Sequence, residues 1–110
     1  MRLEQDKLYI APEKITLFLL NTMSESGASK AKLLIHFGFS PDRPEELEAA
    51  ILQHALVNEV AKTVMFNDKE ERYLIEGPLM TPVGRTINLR CVWYRKINQE
   101  IIKFVTLYPV

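Results

Sequence analysis

RTINLRCVWYR (residues 85–95) decides how this chain folds. Ile87, Leu89, Cys91 and Trp93 take alternate positions, and Asn88, Arg90 and Tyr94 take the others. Period two is the mark of a strand with one face on a core and one partly in water. After KINQE (96–100), which reads as a hairpin connection, IIKFVTLYP (101–109) repeats the strand signal, and Pro109 stops it. Strict alternation along this last strand puts Phe104, Thr106 and Tyr108 on one face and Val105 and Leu107 on the other. Upstream, TVMF (63–66) and RYLIEG (72–77) are short strand signals around a polar turn, NDKEE (67–71). PLMTPVG (78–84) holds two prolines and a glycine and reads as an irregular loop or a broken edge segment.

The first half has a different period. LYIAP (8–12) reads as an extended lead-in. Pro12 suits a first helical turn, and Ile15, Phe18, Leu19 and Met23 follow at helical spacing. SESGAS (24–29) interrupts the pattern. Ser29 is placed to cap a short helix, KAKLLIHF, that Gly38 closes as the residue just past its end. Pro44, Glu45 and Glu46 open a third helix, with the acids where the helix dipole favours them, and it is expected to reach Ala61 or Lys62. Helices first and strands afterwards predict an α+β fold. Two to three N-terminal helices pack on a C-terminal four-stranded antiparallel sheet, paired as a meander. At 110 residues the expectation is a single domain, 1–110.

Lys+Arg and Asp+Glu balance at 14 each, which excludes binding nucleic acid by bulk charge but leaves room for a local basic site. A lone cysteine, Cys91, cannot form an internal disulfide, and a reducing cytoplasm is the expected location. No apolar stretch is long enough to span a bilayer as a helix. One Cys and two His, without CxxC or HExxH, make no coherent metal-ligand set, and neither a glycine-rich phosphate loop nor GxSxG occurs. No cofactor is expected.

Several polar residues stand out. Leu47, Ile51, His54 and Asn58 lie within about 60° of one another on the third helix, so His54 continues an apolar stripe. A histidine there suits general acid–base work, and the plainer reading is a satisfied structural histidine. His36 reads as an ordinary helix-end residue. Lys30 stands at a helix start, where free N–H groups and its own charge can bind an anion; otherwise it is simply solvated. Arg85 follows TPVG, a stretch that can lock its guanidinium for bidentate phosphate recognition; otherwise it is a surface residue at a strand mouth.

Taken together, GASKAKLLIHFGFS, the helical His54, YLIEGPLMTPVGR, VWY and FVTLYP resemble a small bacterial toxin-type domain family. That family carries the pattern GxSKA, His, GxLxxPxGR, VW and LVTxYP. The resemblance covers about residues 8–109; KLLIHFGF departs from it in having aliphatic residues and His36 where aromatic ones are commoner. The layout is more distantly similar to the barnase–EndoU–colicin–RelE-like ribonucleases. The resemblance implies a metal-independent endoribonuclease toxin that cleaves RNA by 2′-OH attack. Its matched polar positions are Lys30, His54, Arg85, Thr106 and Tyr108. It also implies two partners, an RNA substrate and a small cognate antitoxin or immunity protein. The competing expectation is a non-catalytic protein-interaction domain from the same kind of system.

Overall fold

The computed structural model describes residues 2–23 and 28–110. After a 3-10 turn at Gln5–Lys7 comes the two-residue strand β1 (Leu8–Tyr9), and then a π-helical segment, Lys14–Leu19. Two α-helices follow, α1 (Ala28–His36) and α2 (Pro44–Val57). The remaining strands are β2 (Val60–Asn67), β3 (Glu70–Met80), β4 (Thr86–Lys96) and β5 (Ile102–Pro109). The sheet is five-stranded and mixed, in the order β1-β5-β4-β3-β2. The four strands of the second half pair as the expected antiparallel meander. The expected count of four was short by one: the LYIAP lead-in supplies β1, which pairs parallel to β5 through Leu8–Ile102 and Tyr9–Lys103. A two-residue strand carries too little periodicity to be seen in sequence.

The helices lie on one face of this sheet. Ile15 and Leu19 of the π segment, Leu34 of α1 and Leu47 and Ile51 of α2 pack with Ile75, Leu89, Trp93, Phe104 and Leu107 in one hydrophobic cluster. Trp93 meets Phe104 edge-to-face, with centroids 5.4 Å apart. Burial in this core pushes the Cys91 thiol up to about 12, so it is inert there. No helix among the described residues is long and apolar enough to cross a membrane.

Local departures from the sequence reading have local causes. The first helix stops at Leu19, well short of Met23, in π form. Leu20 N–H bonds to Ile15 O five residues back, which brings Leu20 into the core and leaves Phe18 and Met23 exposed. Helix α1 already includes Ala28, so Ser29 sits within its first turn and is not its cap; residues 24–27 of the interrupting segment lie outside the described residues. Helix α2 ends at Val57, because Asn58 turns extended and Val60–Asn67 pair with β3 instead. Strand β3 runs straight through Pro78 to Met80. The proline is tolerated because β2 pairs with β3 only as far as Ile75, so beyond that residue β3 is an edge and needs no N–H.

Gly38 behaves as expected. It takes φ +99°, its N–H bonds to Ile35 O and that of Phe39 bonds to Leu34 O, a Schellman end for α1. A Cβ at Gly38 would also come within 2.9 Å of Val83 Cγ1 in the β3–β4 turn. Gly38→Ala is expected to lose about 1–3 kcal/mol in urea denaturation. An unchanged midpoint would show that neither the backbone angle nor the packing on Val83 constrains this position.

Candidate active site

Strand pairing defines what the other sheet face carries. Val92 pairs with Thr106 but Trp93 pairs with Phe104, so Val105 is an extra residue, a β-bulge. The bulge inverts the parity of the last strand. Phe104 and Leu107 are both buried in the core, while Thr106 and Tyr108 stand on the face away from the helices. The sequence had placed Phe104 with the hydroxyls and Leu107 opposite it; one inserted residue is enough to switch sides.

Rows of paired residues cross this open face. One row runs Lys62, Leu74, Val92, Thr106, and the next brings Glu76, Arg90 and Tyr108 together. A third crosses all five strands as Val64, Arg72, Tyr94, Lys103 and Tyr9. From α1, Lys30 reaches over the β5 edge, and its Nζ donates to Thr106 Oγ1 at 2.8 Å. Arg90 Nη1 donates to Tyr108 OH at 3.2 Å, and the same guanidinium pairs with Glu76. Both partners hold the Arg90 charge firmly, Tyr108 first and Glu76 second. Arg72 pairs with Glu70 through Nε at 3.3 Å and stacks over the Phe66 ring.

The result is a one-sided charge distribution in a chain with no net charge. Lys62, Arg72, Arg90, Lys103 and the incoming Lys30 meet only Glu70 and Glu76 here, and each of those carboxylates already pairs with an arginine. The acids Glu45, Glu46 and Glu48 are on α2, beyond the core.

The two hydroxyls share a chemical arrangement. Each accepts a hydrogen bond from a cation, which leaves its own proton to donate; that of Thr106 has a long contact to Leu107 O at 3.5 Å, which an incoming anion would replace. Thr106 and Tyr108 are about 7 Å apart along the strand. Together they offer two cation-backed donors to an anion on an open surface.

Arg85 and His54 lie elsewhere. Arg85 rests over the Phe37 ring at 5.9 Å, just past the end of α1, seven residues from Lys30, or about 10 Å of helix. The turn that carries it is tied by Thr81, whose N–H and Oγ1 both donate to Arg85 O. His54 is 1% exposed and on the core side. Its Nε2 lies 3.1 Å from Gly77 O and 3.2 Å from Leu89 O, so the ring donates to both carbonyls and Nδ1 is left buried without a partner. Burial pushes the imidazole below its ordinary 6.5, and the two carbonyls oppose this only in part. Thus Lys30 meets Thr106, Tyr108 shares the face of Thr106 with Arg90 as its partner, Arg85 lies at the other end of α1 from Lys30, and His54 is on the core side of the sheet.

Sequence reasoning missed Arg90 as a partner of Tyr108, and Tyr94 with Lys103. Arg90 and Tyr94 had been assigned to the wetter strand face, which was the available signal. A hollow of about 830 Å³ lies between the β2–β3 and β4–β5 turns and contains none of these groups. Among the described residues, no three His, Cys, Asp or Glu side chains cluster as metal ligands.

Helices on one face of a mixed sheet, with cations and hydroxyls on the other, define an α+β domain with one basic, hydroxyl-bearing sheet face. The chain belongs to a family described as a domain of unknown function, DUF6883, which it matches over residues 2–110. Among curated proteins, none matches it. Its fold is similar to a solved chain of a contact-dependent growth inhibition toxin–immunity protein complex from Klebsiella pneumoniae 342. The TM-score is 0.70 at 14% identity, over 92% of this chain and 98% of that one.

Proposed function

We propose that this protein is an endoribonuclease toxin, held in check by a small antitoxin or immunity protein, that cuts RNA on the open sheet face. The observation that carries this reading is the pairing of Lys30 with Thr106 and of Arg90 with Tyr108 on a basic face of a chain without net charge. The family resemblance and the toxin–immunity complex with a similar fold support it.

The reaction is attack of a ribose 2′-oxygen on the adjacent phosphorus. A 2′-O–P bond forms, the P–O5′ bond breaks, and a 2′,3′-cyclic phosphate results. Water at the open face takes the 2′ proton, and Tyr108 gives its proton to the leaving 5′-oxygen. Lys30 and the Thr106 hydroxyl hold the phosphoryl oxygens as charge builds on them, a role that suits fixed donors. Arg85 binds a flanking phosphate. His54 has no part in the proton transfers; it supports the sheet from beneath.

Incubation of purified protein with mixed RNA in excess EDTA is expected to give fragments ending in 2′,3′-cyclic phosphate. RNA left intact, with normal growth of cells expressing the chain, would remove this reading. A second reading, a partner-binding domain without catalysis, draws on the edge strand β2, which exposes Val64, Met65 and Phe66. On that reading, changes at Met65 and Phe66 break a complex, while changes at Lys30 do nothing.

A further inference from the structure

We infer that the hollow bounded by Tyr9, Tyr94, Lys103, Lys14 and Arg72 is a second nucleotide subsite, which takes a stacked RNA base with its phosphate. The inference rests on the ribonucleolytic reading of the same face. The cavity is about 330 Å³, and Glu70, already paired with Arg72, is the acid in its lining. It is built by the row of paired residues that crosses the whole sheet. Tyr94 stands between Arg72 and Lys103, and Tyr9 lies beyond Lys103. Lys14 closes it from the π-helical segment.

The chemistry is that of a single-stranded nucleic-acid platform, aromatic side chains for bases and cations for the backbone. Half-buried Tyr94 cannot move far, and Tyr9 is 47% exposed. Arg72 is fixed between the Phe66 ring and Glu70. An acidic peptide would use the cations but would leave both tyrosine rings idle. From Arg90 to Tyr94 is two same-face steps along β4, about 13 Å. One single-strand-binding fold commonly covers about four or more nucleotides, so one RNA strand can reach both places.

The test uses the intact protein and a fluorescein-labelled 2′-O-methyl RNA hexamer, which cannot be cut because its attacking hydroxyl is blocked. Binding is read by anisotropy. Tyr94→Leu is expected to weaken it about tenfold or more, and Tyr94→Phe by less than about twofold. Lys103→Gln is expected to weaken it several-fold and to flatten its dependence on salt. Thermal melts check that each variant is folded. Unchanged affinity in both Tyr94→Leu and Lys103→Gln overturns the subsite, as does a wild-type protein that does not bind the hexamer. If the expected losses appear but ordinary RNA is never cut, the subsite stands and the nuclease reading falls.

Discussion

Lys30→Ala is expected to slow RNA cleavage by at least about a hundredfold and to relieve toxicity on expression, with little change in melting temperature. Removing one fixed donor from a developing oxyanion typically costs about 10²–10³ in rate. Lys30 also backs the Thr106 hydroxyl from 2.8 Å, so its loss disturbs two donors. Stability should barely move, because Lys30 enters no hydrophobic cluster and its helix is held by Ala31 and Leu34. Thr106→Val should cost less, about tenfold, since the ammonium remains. If the two act as a unit, the double variant should be no slower than Lys30→Ala alone. Additive losses would show that the hydrogen bond between them has no part in the reaction. An active Lys30→Ala protein would move the chemistry away from this face altogether.

His54→Ala is expected to have the largest effect on stability, about 2–4 kcal/mol by urea denaturation. The substitution empties a site that is 1% exposed and takes the N–H away from two carbonyls at once. Marginal proteins have only about 5–15 kcal/mol in total, so the melting temperature should fall by many degrees. The pH dependence follows from the direction of the shift. Burial holds the folded imidazole neutral below 6.5, while in the unfolded chain it takes up a proton from about that pH downward. The unfolded state then binds more protons, so the contribution of His54 is complete above about pH 6.5 and is lost as pH falls below it. His54→Leu should flatten this part of the stability profile between about pH 5 and 7. A profile that keeps its slope in His54→Leu would assign the titration elsewhere. Cleavage by His54→Ala at a temperature where it is folded would confirm that the imidazole moves no proton in the reaction, and a folded but inactive variant would restore it as an acid–base group.

How much was legible varied with the range of the interaction. Gly38 could be read because a helix end needs a residue at positive φ, a local demand. Leu89, Cys91 and Trp93 could be read as core because β4 pairs without a break along β3, so its period survives folding. His54 was legible as a member of an apolar stripe, but its role was not. Two carbonyls, on β3 and β4, decide that, and no helical period reports on carbonyls from other strands. The Pro78 segment read as a loop because a proline argues against a strand. Only the early end of β2 made that position an edge.

The amino-acid sequence by itself determined the class of the fold, helices then strands, and most of the core, because those follow from periodicity and local turn chemistry. It also determined which polar residues were available. Tertiary structure alone decided where they went. An extra residue at Val105 turned Thr106 and Tyr108 to the open face, and a side chain 76 positions away arrived to back the first of them. Both events depend on strand register and on helix placement over a sheet edge, which are set by the packing of the whole molecule rather than by any stretch of its sequence.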